Sequence, residues 1–188
     1  LNFIEAYHSV SVNMNNEELE TGVQLDLGQF NKSLPVNRYF GGFNYTYLES
    51  DEMDKGTIGH IFNASFLLKN KFSSFNVITM GLGMKIIHID YGSLNSTAVP
   101  LGIEMNFGFP MKSFPLSINT SLYYSPKPLT FGDGDQYIEK RVELVYQIIE
   151  MGELFIGYRD IAVDPHSKST SVNIDISQLP YLGIKIGF

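Results

Sequence analysis

The chain has 188 residues, a net charge of −7, 44% hydrophobic and 18% charged residues, and no cysteine. These values exclude a disulfide scaffold, a thiol nucleophile and a Cys-ligated metal site; with only three arginines the chain also lacks the basic face that nucleic-acid binding requires. No run of 18 apolar residues is present, which excludes a transmembrane helix, and the length suits a single domain, 1–188.

The sequence opens on Leu1 without a charged and then apolar leader, so we expect an exported chain whose signal peptide is absent here. From there period-two alternation dominates. It predicts strands at 2–13, 19–29, 38–48, 57–69, 75–90, 98–109, 114–125, 136–149, 153–163 and 170–188. In the sixth, Leu101, Ile103, Met105, Phe107 and Phe109 oppose Gly102, Glu104, Asn106 and Gly108. In the last, Leu182, Ile184, Ile186 and Phe188 oppose Gly183, Lys185 and Gly187, with Val172, Ile174 and Ile176 expected in the same outward phase across an interruption at Pro180. Most of these segments reach the ~9–11 residues that cross a bilayer at a tilt, against ~5–6 for an ordinary strand.

Connection length alternates. Links 70–74, 110–113 and 150–152 are tight; links 49–56, 91–98, 126–135 and 164–169 are longer, and 29–37 is a long exception on the tight side. Short turns at one end and long loops at the other mark an outer-membrane barrel with both termini at the short-turn end. Charge follows the same division: Glu17, Glu18, Glu20, Glu49, Asp51, Glu52, Asp54, Asp133, Asp135 and Asp164 fall at the long-loop end, and Lys32, Lys69, Lys71 and Lys112 at the other.

The two faces distinguish a barrel from a sandwich. The polar face is poor in charge and rich in Gly, Ser, Asn and Thr, as suits a narrow lumen; the apolar face carries Phe62, Phe66, Phe107, Tyr124, Tyr146 and Phe188, several near strand ends where an interfacial girdle lies. Such a face on every strand would be a large apolar patch in water, whereas a closed barrel in lipid leaves no edge. The expected fold is therefore all-β: a closed antiparallel up-and-down transmembrane β-barrel of about ten strands. Ile103, Met105, Phe107, Leu144, Ile184 and Phe188 are expected to face lipid. The expected partners are outer-membrane lipid, lipopolysaccharide and, through Gly183, Ile186 and Phe188 of the terminal segment, the bacterial barrel-assembly machinery.

One stretch carries a family likeness. Tyr123-Tyr124-Ser125-Pro126-Lys127-Pro128-Leu129-Thr130-Phe131-Gly132-Asp133 is followed by Tyr137-Ile138-Glu139 and then by Gly157-Tyr158-Arg159. This pattern resembles the YfaZ family of bacterial outer-membrane proteins. The resemblance implies an outer-membrane barrel and brings no activity with it.

The candidate site is the lumen. All three arginines, Arg38, Arg141 and Arg159, share the inward phase with Glu5, Asp26, Lys85, Glu104, Glu139, Glu143 and Lys185. Confined charges need partners, so ion-pair networks are expected. Counting back from the turn at 150–152 sets Arg159 level with residues near Glu143, which predicts an Arg159–Glu143 contact, with Gly157 leaving room for the arginine stem and Arg141 or Glu139 completing the cluster. The leading functional expectation is a narrow pore for ions or small solutes; the alternative is a non-channel barrel with a structural, envelope-stability or surface-contact role. An enzyme is the weaker reading: His8-Ser9 and His166-Ser167 are adjacent and so point to opposite faces of a strand, His8, His60 and His88 are outward, and an approach of Asp133, Asp135 and His166 is fixed by nothing. No cofactor or metal site is expected, since neither 132–135 nor 49–54 has the spacing of a calcium loop.

Overall fold

The structure, a computed structural model, describes residues 8–50, 57–72, 78–109, 115–165 and 174–188. It contains β1 (His8–Met14), β2 (Glu18–Asp26), β3 (Tyr39–Ser50), β4 (Thr57–Lys71), β5 (Ile78–Tyr91), β6 (Leu94–Ala98), β7 (Leu101–Gly108), β8 (Leu116–Ser125), β9 (Thr130–Gly132), β10 (Gly134–Ile149), β11 (Gly152–Pro165) and β12 (Ile174–Gly187). Each wall strand pairs antiparallel with its chain neighbours, and β1 pairs with β12, so the sheet closes as an up-and-down barrel of ten strands. The helical elements among the described residues are two three-residue 3-10 turns. The alternation seen in the sequence is the cause: period two puts one set of side chains inside and the other outside.

Twelve strands make ten wall positions because of two local features. β6 and β7 share one position, both pairing with β5, and meet at a kink where Lys85 N–H donates to the Pro100 carbonyl at 3.0 Å. The expected long loop at 91–98 is thus a tight hairpin, turning at Gly92, whose φ of +60° favours glycine. The loop after β8 carries β9, which pairs with β6 and extends the sheet at the long-loop end.

Two further expectations are corrected. Ile176 faces inward and is buried, not outward, because a bulge opposite Ile161 and Ala162 shifts the phase of β12 above Ser177; Val172 lies outside the described residues. Pro180 does not interrupt β12. β1 ends at Met14, opposite Leu182, so Pro180 has a neighbour on one side only and stands at an edge, where proline is tolerated. The long link after β2 is ordered by Asp26, fully buried, whose carboxylate accepts from Gly28 N–H at 2.9 Å and Asn37 N–H at 2.7 Å. At the same end His8 stacks on Phe30 and contacts Phe188, and its backbone exchanges hydrogen bonds with Phe188 across the closing seam.

Large glycine-seated rings fill the lumen wall. A Cβ on Gly83 would lie 2.2 Å from the Tyr123 hydroxyl, and one on Gly102 2.4 Å from the Tyr123 ring. The phenol therefore lies flat across two neighbouring strands. Gly83→Val is expected to cost about 1–3 kcal/mol by overpacking, read as a lower urea midpoint for the barrel refolded in lipid vesicles. An unchanged midpoint would show that Tyr123 has another place to go.

Candidate functional site

The inward residues form three layers. Nearest the long-loop end, Leu48, Ile61, Ile87, Ile89, Tyr91, Leu94, Ala98, Tyr137, Ile161, Val163 and Ile176 make one buried apolar cluster drawn from seven strands. One residue pair further down β5, β10 and β11, the inward side chains become charged: Lys85, Glu139 and Arg159. Towards the short-turn end, Val145, Phe155 and Tyr181 form a second apolar cluster. Apolar side chains are worth about 1.5–3 kcal/mol each when removed from water, so the top layer stabilises the barrel from within its own lumen.

The middle layer is a continuous ionic network. Lys85 on β5 reaches Glu139 on β10 at 2.7 Å. Glu139 also accepts from the Tyr137 hydroxyl at 3.0 Å and lies 3.6 Å from Arg141. Arg141 donates to Glu20 on β2 at 2.9 Å, and Glu20 also accepts from Asn44 Nδ2 at 2.8 Å. Arg159 on β11, 1% exposed, closes the network by donating to both Glu18 and Glu20. The chain of contacts runs from β5 to β10 and across to β2 and β11, spanning the lumen. Lys85 Nζ sits 3.8 Å above the Tyr123 ring, and the Tyr123 hydroxyl donates to Glu104 at 2.7 Å.

The expected Arg159–Glu143 contact is replaced by a cross-barrel one. The register sets Arg159 opposite Arg141 and Glu143 opposite Gly157. Two guanidiniums side by side cannot serve each other, and the carboxylates that pair with Arg159 come from β2, on the other side of the seam. Glu143 instead accepts from the Tyr181 hydroxyl at 2.7 Å and Asn119 Nδ2 at 3.3 Å, and lies 3.7 Å from Arg141. Gly157 makes room for the Tyr181 ring, not for the arginine stem, since a Cβ there would lie 2.6 Å from it.

Of the other inward candidates, Asp26 caps the link after β2, and Lys185 pairs with Glu153 at 2.5 Å, half-exposed. Arg38 is exposed in the turn before β3, so its strand phase did not apply. Glu5 lies outside the described residues, as do Asp51, Glu52, Asp54 and His166. Glu18 and Glu20, assigned only to the long-loop end and not to the inward set, are buried in the lumen. Their signal was legible: they share the even phase of Gly22, Gln24 and Asp26 on the same strand. Asp133 accepts from Asn95 N–H at 2.9 Å and Asp135 pairs with Lys127 at 2.6 Å, so each has a structural partner. Among the described residues no group of three His, Asp or Glu is placed to hold a metal ion. On the outer face, Ile103, Met105, Phe107, Leu144, Ile184 and Phe188 are all exposed.

The class this geometry defines is a closed antiparallel β-barrel with an ion-pair network across its lumen. The chain belongs to the YfaZ family, whose model, described as YfaZ precursor, matches residues 5–188. None of the curated proteins matches it. Among solved structures, a chain described as "Unveiling the Mechanism Behind the in-meso Crystallization of Membrane Proteins" is similar at 13% identity and a TM-score of 0.40, covering 97% of this chain and 83% of that one. Another, "CdiB from Acinetobacter baumannii", is similar at 12% identity and a TM-score of 0.21, covering 96% and 59%.

Proposed function

We propose that this protein is an integral outer-membrane β-barrel of a Gram-negative bacterium, closed to solutes, with a structural or surface-contact role rather than a transport or catalytic one. The outer band of exposed apolar side chains on a closed barrel supports the membrane setting, because in water that band would be a continuous apolar patch. In this setting the short-turn end faces the periplasm, the acidic loops face outward, and the terminal segment with Gly183, Ile186 and Phe188 serves recognition by the barrel-assembly machinery.

One observation carries the closed reading over the narrow pore: the Lys85–Glu139–Arg141–Glu20–Arg159–Glu18 network crosses the lumen beneath a buried apolar layer. Barrels of eight strands are filled by side chains and those of sixteen or more leave a channel; ten strands stand nearer the first group, and large arginine, tyrosine and isoleucine side chains point into this lumen. Purified protein in planar bilayers is expected to give no unitary conductance above background. Steady, ion-selective steps from the wild type would restore the narrow-pore reading.

A further inference from the structure

The outward face of β1 to β5 holds a concavity of about 570 Å3, within the ~300–1,000 Å3 of small-molecule sites. Its lining has two levels. The register sets Thr21, Tyr45 and His88 in one row, with Val12 beside Thr21 and Phe62 between Tyr45 and His88, and Val23, Phe43, Ala64 and Ile86 in the row two residues nearer the short-turn end. The lower row is wholly apolar. The upper row carries two hydroxyls and an imidazole: Tyr45 Oη bonds His60 Nδ1 at 2.8 Å, and His88 Nδ1 bonds Thr97 Oγ1 at 3.0 Å. Ala64 and Thr21 are small, whereas Phe43 is 66% exposed, so an aromatic ring stands proud of a low floor. No charged side chain lines the concavity.

An apolar floor below neutral hydrogen-bonding groups matches one ligand chemistry: a hydrocarbon chain joined to an ester or amide. The chain lies along Val23, Ala64 and Ile86, and the linkage lies level with Thr21, Tyr45 and His88. We propose that this groove holds an acyl chain of lipopolysaccharide. The inference rests on the outer-membrane reading above, which puts the upper row in the leaflet where lipopolysaccharide resides.

The test is native mass spectrometry of the protein extracted from lipopolysaccharide-containing membranes and progressively delipidated in detergent. The wild type is expected to keep one lipopolysaccharide. Ala64→Phe, which fills the floor, is expected to reduce its occupancy about tenfold, with the milder Ala64→Ile reducing it less. Leu122→Phe, on β8 away from the groove, is expected to keep it. Heat-modifiable migration, read on every variant, reports folding separately. Equal retention by Ala64→Phe and wild type would overturn the proposal, as would retention of phospholipid alone, or a dimer that Ala64→Phe dissociates. Failure of the folded wild type to insert into lipid would overturn the outer-membrane reading itself.

Discussion

Arg159→Met is expected to destabilise the barrel by about 3–5 kcal/mol, the scale for removing one partner of a buried ion pair. The loss leaves Glu18 without its arginine and Glu20 with Arg141 and Asn44 alone, in a layer where Arg159 itself is 1% exposed. The double variant Arg159→Met, Glu18→Gln is expected to recover a large part of that cost, because the buried uncompensated charge is what destabilises. Urea unfolding of the barrel in lipid vesicles measures both. The same substitution removes a lumen-spanning link, so planar-bilayer recordings are expected to show conductance that the wild type lacks. If Arg159→Met is as stable as the wild type and equally silent, the ionic layer is not what closes the lumen.

Leu144→Arg is expected to cost about 2–4 kcal/mol if it lies near the bilayer midplane. Leu144 is exposed on the outer face of β10, between Ile118 of β8 and Ile156 of β11. In lipid that position offers an arginine neither water nor a carboxylate. Its neighbour Val145 faces the second apolar cluster inside, so the two positions separate outer-face from lumen effects. The measurement is the unfolding free energy in vesicles together with the fraction of heat-modifiable protein. A variant that assembles with wild-type yield and stability would place Leu144 away from the hydrocarbon.

The sequence by itself determined the barrel class, the ten wall positions, the placing of His8 and Phe188 at the short-turn end and the facing of most strands. Each of these follows from a local period of two, which needs no knowledge of partners: a residue's face is set by its neighbours in the chain. Ile103, Met105, Phe107 and Leu144 are examples. Phase failed where the local rule was interrupted, at the bulge that turns Ile176 inward and at the turn that leaves Arg38 exposed. Only the tertiary structure decided what meets what inside. Arg159 and Glu18 are separated by 141 residues along the chain, and their meeting depends on barrel closure between β1 and β12, on the register that sets Arg159 beside Arg141, and on the strand tilt that lifts β2 to their height. An error of two residues in register keeps every side chain on its face and yet exchanges every partner. That is why the inward charges could be read as a group, while the pairs among them could not.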